Sequence, residues 1–129
     1  MKVLVTGGAG FIGSNFVRRT LEDAYEGLEG AEVVVYDALT YSGNPANLAP
    51  VAQSPRFTFV QADIRDAGAL DDVLPGIDTV VHFAAESHVD RSVRDSGIFV
   101  ETNVLGTQRL LDASLRAGIQ RFVRAFDDR

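Results

Sequence analysis

The chain has 129 residues, of which 46% are hydrophobic and 23% are charged, and its formal net charge is −6. This length and composition fit one globular domain and exclude an intrinsically disordered chain. The negative charge argues against nucleic acids and anionic membranes as partners, because no basic surface can neutralise phosphates. The sequence has no cysteine, which excludes disulfides and thiolate sites. No signal-peptide core or membrane-length apolar run is present, so we expect a soluble cytoplasmic protein.

Short β-rich runs alternate with longer helical runs. In chain order, the pattern predicts a strand over Lys2–Thr6, a helix from Phe11 to about Tyr25, strands over Glu32–Asp37 and Arg56–Asp63, a short helix capped by Asp66, a strand over Asp78–Ala85, a long helix ended by Gly118, and the start of a fifth strand over Gln120–Phe126. Strands that alternate with helices pair in parallel through right-handed crossovers. The predicted fold class is therefore α/β, a doubly wound parallel sheet.

Apolar residues at helical spacing predict which face of each long helix is buried. The first helix carries Ile12, Phe16, Leu21, Ala24 and Tyr25 on the predicted sheet-facing side, and the last helix carries Val100, Val104, Leu111 and Leu115. The loop Tyr41–Pro55 is irregular, with one glycine and three prolines.

A glycine-rich stretch, "TGGAGFIG", lies between the first strand and the first helix. Gly7 would permit the tight turn, Gly10 would let the backbone approach a pyrophosphate, and Gly13 would let the helix pack on the strand. The first-turn amides and the positive end of the helix dipole could then hold an anion without any lysine. An ordinary strand-to-helix turn is the alternative, but the strand before and the helix after favour dinucleotide binding.

The residue that ends the second strand, Asp37, indicates which dinucleotide is bound. It lies 24 residues beyond Gly13, and a carboxylate at this position accepts hydrogen bonds from a ribose 2′-hydroxyl and repels a 2′-phosphate. The sequence therefore predicts that the cofactor is NAD rather than NADP.

Both histidines fall in one stretch, "HFAAESHVDRS" (residues 82–92). A metal site is disfavoured, because strand alternation places His82 on the opposite face from Phe83 and no further histidine completes a ligand set. His88 as a general base, or His82 as a hydrogen-bonded strand histidine, remain alternatives. Since ligands bind beyond the carboxyl ends of parallel strands, we favour a pocket wall beside the glycine turn.

Several motifs together resemble one family of enzymes. They are "TGGAGFIGSN", "DALTYSGN" (37–44), "ADIRD" (62–66), "AAESHVDRS" (84–92) and "ETNVLGT" (101–107). All are similar to stretches of dTDP-glucose 4,6-dehydratases, which belong to the extended short-chain dehydrogenase/reductase superfamily and act on nucleotide sugars. The likeness runs from Met1 to about Val123 and corresponds to the first third or so of a family member.

This resemblance implies roles for particular residues. Phe11 and Ile12 would lie beside the pyrophosphate, and Asp37, Ala38, Leu39 and Thr40 would hold the adenosine ribose. Asp63 and Ile64 would flank the adenine, Phe83, Ala84 and Ala85 the nicotinamide, Thr102 would be a further cofactor contact, and Ser87 would reach towards the hexose. The alternatives are a helix-start carboxylate for Asp63 and a surface threonine for Thr102. The helix from about Gly97 to Ala117 resembles one that pairs two subunits in the family, which implies a homodimer with dTDP-glucose as substrate.

The family reaction oxidises C4 of the glucose by hydride transfer to NAD, removes water across C5 and C6, and returns the hydride to C6. Its base is a tyrosine in a Tyr-x-x-x-Lys pair, which this sequence lacks because its only lysine is Lys2. The Ser-Thr-Asp-Glu run expected at the fifth strand is replaced by "RFVRAFDDR". We therefore expect an NAD-binding portion that is inactive alone; the alternatives are a non-enzymatic NAD-binding module or a fragment of another nucleotide-sugar epimerase or dehydratase. We also expect Val80, Val81, Phe122 and Val123 to border an incompletely covered edge that favours self-association.

Overall fold

The structure of the chain is a computed structural model, which describes residues 1–38, 45–83 and 96–125; for 96–106 and 124–125 it describes the backbone alone. The elements follow one another as β1 (Lys2–Thr6), α1 (Phe11–Leu21), β2 (Glu32–Asp37), a 3-10 helix (Pro45–Val51), β3 (Phe57–Gln61), α2 (Ala67–Val73), β4 (Thr79–Phe83), α3 (Ser96–Ala117) and β5 (Arg121–Ala125). The predicted alternation of strands and helices is confirmed. No helix among these residues is long and apolar enough to cross a membrane.

The five strands form one parallel sheet in the order β3-β2-β1-β4-β5. The sheet grows outward from β1 in one direction through β2 and β3, and then in the other through β4 and β5. This confirms the predicted doubly wound sheet. The order reverses between β1 and β4, and the crevice beyond the carboxyl ends of two such strands is where open α/β sheets bind ligands.

Both faces of the sheet are covered, which explains why β1 and β2 are nearly continuous apolar runs. One face packs with α1 and the 3-10 helix around Val3, Val5, Val17, Leu21, Val33, Val35, Leu48 and Val51. The other packs with α2 and α3 around Leu4, Val34, Tyr36, Leu70, Leu74, Val80, Leu110 and Ala113.

Helix α1 ends at Leu21, four residues before the predicted end near Tyr25. The chain leaves the helix because Asp23 has a positive φ of 59°, a conformation that a helix cannot continue. The Tyr25 ring nevertheless stacks on Phe16 with ring centroids 5.5 Å apart. The apolar spacing thus reflects a real contact, although a turn rather than a helix produces it. Ala24, also predicted on the helix face, is exposed.

The predicted helix ends are confirmed at two other places. The Asp66 side chain accepts a hydrogen bond from the Ala69 amide and caps α2. Gly118 follows α3 with φ +74°, the left-handed conformation of a helix C-cap. The third and fourth strands are shorter than predicted: β3 covers Phe57–Gln61, and β4 begins at Thr79.

The predicted buried face of α3 is wrong where its side chains are described. Leu111 is 40% exposed and Leu115 is 79% exposed, whereas Leu110 and Ala113 are buried against the sheet. Leu110 and Leu111 are neighbours in the sequence, so their side chains point about 100° apart around the helix. Sequence periodicity does not show which of the two meets the sheet. The side chains of Val100 and Val104 lie outside the described residues.

The predicted edge at β4 and β5 is partly wrong. Val80 is fully buried and Val81 is 9% exposed, because β4 lies between β1 and β5. Val123 on β5 is 42% exposed and Phe122 is half-buried. Of the four predicted residues, only Phe122 and Val123 on β5 are therefore substantially accessible to solvent.

Tyr36 connects β2 to the chain that follows β3. Its side chain is fully buried, and its hydroxyl donates a 2.7 Å hydrogen bond to the carbonyl oxygen of Asp63. Burial raises the pKa of Tyr36 to about 12, and the negative charges of Asp66 and Asp63 add to the effect. The phenol thus stays neutral and keeps its donor.

The raised pKa makes the stability of the chain depend on pH. Because an unfolded tyrosine ionises near pH 10, the free energy of unfolding should fall as the pH rises from about 10 towards about 12. Tyr36→Phe should remove this dependence and cost about 0.5–1.5 kcal/mol at neutral pH through the lost hydrogen bond. Urea unfolding across this pH range measures both, with Tyr25→Phe as the control that keeps the dependence. An unchanged alkaline dependence in Tyr36→Phe would contradict this assignment.

Candidate dinucleotide-binding site

The first residue of the turn between β1 and α1 still pairs with the sheet. The Gly7 amide donates to the carbonyl of Tyr36 at 3.1 Å, which extends the pairing of β1 with β2 by one residue. Gly7 then takes a positive φ of 71°, and the Gly10 amide bonds back to the Gly7 carbonyl at 3.3 Å. The predicted strand, tight turn and helix are therefore present in that order, and the role of Gly7 in the turn is confirmed.

The glycines differ in what they allow. A Cβ on Gly13 would overlap the carbonyl oxygen of Gly7, and a Cβ on Gly7 would lie 3.0 Å from the carbonyl oxygen of Phe83. Only glycine at position 13 lets α1 begin this close to the end of β1, as predicted. Gly10 has an extended backbone, with φ −74° and ψ 175°, so its predicted closeness to a pyrophosphate stays a prediction.

The first turn of α1 presents backbone amides to the switch point. The bond from the Ser14 amide to the Gly10 carbonyl, 2.9 Å long, is the first of the helix, so the amides of Phe11, Ile12 and Gly13 precede it and have no acceptor one turn back. Helix α1 carries no acidic residue in its first turn. Phe11 is 70% exposed and Ile12 is 39% exposed, which corrects the prediction that Ile12 faces the sheet. This helix end can accept an anion.

The Asp37 carboxylate lies beside the same turn. One of its oxygens accepts a 2.9 Å hydrogen bond from the Ala9 amide. Asp37 and the following Ala38 are half-buried at the carboxyl end of β2. A negative group therefore lies beside the turn that leads into α1, where it can accept hydroxyl hydrogen bonds and repel a further anion.

Asn47, in the 3-10 helix, also contacts the turn, and no motif in the sequence predicts this contact. Its side-chain amide donates to the carbonyl of Ala9 at 2.9 Å. Its own carbonyl accepts from the Arg18 guanidinium at 2.7 Å. No spacing rule reveals such a contact, because it depends on how the chain returns from β2.

The predicted adenine-side pair lies after β3. Arg65 donates to both carboxylate oxygens of Asp63, at 3.1 and 2.8 Å, and these hydrogen bonds hold the pKa of Asp63 below its usual range. Asp63 thus stays ionised, and because Asp66 caps α2, the alternative role of helix-start carboxylate falls to Asp66. Ile64 is half-buried and packs against the core on the α2 and α3 side.

His82 is held between two threonines beneath the switch point. Its Nδ1 lies 2.6 Å from the Thr6 hydroxyl and its Nε2 lies 3.1 Å from the Thr107 hydroxyl, and only 2% of the residue is exposed. Phe83 faces the other side of the sheet and contacts Phe16, as alternation predicted. The alternative of a hydrogen-bonded strand histidine therefore fits His82, while Thr107 was not foreseen.

Other predicted site residues lie outside the described residues. These are Leu39, Thr40, Ala84, Ala85, Ser87, His88 and the side chain of Thr102, whose backbone belongs to α3. Within the described ranges, no three His, Asp or Glu residues come close enough together to hold a metal ion.

The overlap at Gly13 gives a direct test of the turn. Gly13→Ala should destabilise the chain by about 1–3 kcal/mol or more, because the added methyl meets backbone that cannot move aside as a side chain would. Gly68→Ala in α2 is the matched control, since its Cβ would meet only the Asp66 side chain, at 3.5 Å. Denaturant unfolding of both variants measures the difference. Equal effects of the two substitutions would show that α1 does not depend on this contact.

A parallel sheet with this strand order, a glycine turn leading into a helix N-terminus and a carboxylate at the end of the second strand define a Rossmann-type dinucleotide-binding fold. The chain matches the model of the NAD dependent epimerase/dehydratase family over residues 3–125. The chain belongs to this family, whose cofactor is NAD.

Individual relatives agree with this assignment. Over 128 residues the chain is 54% identical to a dTDP-glucose 4,6-dehydratase from Streptomyces niveus, covering 99% of this chain and 38% of that protein. It is 53% identical to the low-salt glycan biosynthesis protein Agl12 of Haloferax volcanii, covering 99% of this chain and 40% of that protein. The crystal structure of a dTDP-glucose 4,6-dehydratase from Streptomyces venezuelae with NAD bound superposes with a TM-score of 0.91 at 59% identity, covering 95% and 38% of the two chains. The chain thus spans less than half the length of these relatives and matches their NAD-binding N-terminal part.

Proposed function

We propose that this chain binds NAD at the switch point between β1 and β4, as the NAD-binding portion of a dTDP-glucose 4,6-dehydratase-like protein. The observation that carries the proposal is the position of Asp37, whose carboxylate lies 2.9 Å from the Ala9 amide of the glycine turn. The carboxylate that we propose for the ribose therefore lies beside the turn that leads into the helix end proposed for the pyrophosphate. Their spacing along the chain fits the dinucleotide fingerprint.

In this proposal, different residues of the chain bind different parts of the cofactor. The amides of Phe11 and Ile12 hold the pyrophosphate over the turn made by Gly7, Gly10 and Gly13, and Asp37, Ala38, Leu39 and Thr40 hold the adenosine ribose. Asp63 and Ile64 flank the adenine, Phe83, Ala84, Ala85 and Thr102 border the nicotinamide, and Ser87 meets the hexose. Bound NAD would supply a hydride acceptor at the carboxyl end of β4.

Anion binding by an acidic chain needs a local source of positive potential. The net charge is −6, and the only lysine is Lys2 at the opposite end of β1. The α1 amides supply partial positive charge where the diphosphate would lie. Asp37 adds negative charge a short distance away, where a 2′-phosphate would lie. This arrangement favours NAD over NADP.

Cofactor preference tests the proposal. Calorimetric titration should show saturable binding of NAD and weaker binding of NADP. Asp37→Asn should lower the ratio of the NADP to the NAD dissociation constant by about tenfold, equivalent to 1.4 kcal/mol, because the charge that repels the 2′-phosphate is gone. The amide oxygen of the new side chain can still accept from the Ala9 amide. Asp72→Asn on α2 removes the same charge elsewhere and should leave the ratio unchanged.

Two results would overturn this assignment. One is equal affinity of the unsubstituted chain for NAD and NADP. The other is a preference for NADP that survives Asp37→Asn. An absence of any saturable NAD binding would remove the proposed function altogether.

The family chemistry places a further demand that this sequence does not meet. Tyr25, Tyr36 and Tyr41 are followed four residues later by Glu29, Thr40 and Pro45, so none forms a Tyr-x-x-x-Lys pair. Without that base, the 129-residue polypeptide incubated with NAD and dTDP-glucose should give no 4-keto-6-deoxy sugar above background, since loss of a catalytic base typically costs about 10²- to 10⁴-fold. Product analysis by chromatography measures this. Turnover by the pure polypeptide would move the search for catalytic groups to His88, Asp90, Asp127 and Asp128.

Subunit pairing through α3 is the second part of the proposal. The resemblance to nucleotide-sugar dehydratases implies a homodimer built on this helix. The exposed apolar side chains of Leu111 and Leu115 support it, because they lie on one face and away from the chain's own sheet. In the full-length family the nucleotide sugar would be the other partner.

A further inference from the structure

Ala9 is held from both sides by side chains of other elements. Its amide donates to Asp37 at 2.9 Å, and its carbonyl accepts from the Asn47 side chain at 2.9 Å. Ala9 is itself fully buried. The two peptide planes that flank this residue are therefore both fixed, one by the end of β2 and one by the 3-10 helix.

The donor that holds the carbonyl is itself fixed. Arg18 on α1 donates to the Asn47 carbonyl at 2.7 Å and lies 3.5 Å from the Ser14 hydroxyl. On the same 3-10 helix, Leu48 and Val51 are buried in the core beneath α1. Asn47 therefore contacts the turn from a 3-10 helix that is packed against the core, and this packing fixes the position of its side-chain amide.

The peptide that Asn47 holds leads directly into the candidate anion site. Its carbonyl belongs to Ala9 and its amide to Gly10, which bonds back to the Gly7 carbonyl at 3.3 Å. Gly10 is the N-cap of α1, and the next amides along the chain are those of Phe11 and Ile12. A rotation of this one peptide would therefore turn the amides that face a bound diphosphate.

We propose that Asn47 is a positioning residue for cofactor binding, which fixes the Ala9–Gly10 peptide so that the first amides of α1 converge on the pyrophosphate. This rests on the proposed function, because it names the residue that orients the same site. Asn47 acts through the backbone and not through contact with the cofactor. Its contribution is pre-organisation, the entropy of ordering the turn being lost on folding rather than on binding.

Asn47→Asp tests the proposal because it preserves shape while it removes the donor. A carboxylate cannot donate to the Ala9 carbonyl, and its charge repels that oxygen. Asn47→Ala removes the side chain altogether and serves if the first variant fails to fold. Ala49→Asp is the matched control, since it adds the same charge to an exposed position of the same 3-10 helix.

Two measurements on the 129-residue chain separate positioning from simple support of the fold. The first is the dissociation constant for NAD by calorimetry, where one lost hydrogen bond at the turn should weaken binding by about tenfold. The second is the amide chemical shift of Gly10 in the NAD-free protein, which should move in both Asn47 variants and stay in place in Ala49→Asp. A role confined to stability would lower the melting temperature and leave both quantities unchanged in the folded protein.

The outcomes are distinct. If the unsubstituted chain binds NAD normally, an unchanged NAD affinity in Asn47→Asp and Asn47→Ala overturns the proposal. An equal loss of NAD affinity in Ala49→Asp also overturns it, because the effect would then come from the added charge. If the unsubstituted chain does not bind NAD, the proposed function fails. The amide chemical shift of Gly10 still tests whether Asn47 holds the turn. An unchanged Gly10 chemical shift in both Asn47 variants refutes that role.

Discussion

Helix α1 starts almost in contact with the strand that precedes it, and the space left at Gly13 is smaller than one methyl group. This steric limit fixes where the helix N-terminus lies relative to the sheet. It brings the first amides of α1 to the carboxyl end of β1, next to the position at which strand order reverses. The Asp37 carboxylate contacts the same turn through the Ala9 amide.

Buried polar contacts gather at the carboxyl ends of the strands, where the loops leave the sheet. Tyr36 bonds to the chain after β3, and Thr6 lies in contact with His82, which in turn contacts Thr107 on α3. Below this layer, β1 and β2 carry apolar residues on both faces. A buried hydrogen bond is directional, whereas apolar packing tolerates sliding. The polar layer therefore fixes loop geometry at the end of the sheet where a ligand would bind, while the apolar layer supplies most of the stability.

The sequence predicts the fold closely because its signals are local. Glycines, β-branched runs and a capping Asp66 act within a few residues, so the alternation of strands and helices and the glycine turn follow from pattern alone. Predictions that depend on what a side chain meets across space are weaker. The predicted buried face of α3 is wrong, because Leu111 and Leu115 are as apolar as Leu110 but only Leu110 is buried.

The candidate site divides in the same way. Asp37 is recognisable because the dinucleotide fingerprint places an acidic residue at about this distance from the glycines. No such spacing rule covers the contacts of Asn47 and Thr107. The helix that ended early at Leu21 shows the same limit, since the stacking of Tyr25 on Phe16 imitates helical spacing. Contacts that cross between elements follow no fixed period, so one sequence cannot show them.

The central position of β1 also has a consequence for the order in which the molecule assembles. Its register with β2 joins Lys2 to Glu32, while its register with β4 joins Val3 to Thr79. Closing the longer loop costs more chain entropy, and distant pairings slow folding. A ribosome adds about 5–20 residues per second, so β1, β2 and β3 can pair for some seconds before β4 has emerged. During that interval the side of β1 that later pairs with β4 is an open strand edge, which can pair with another chain.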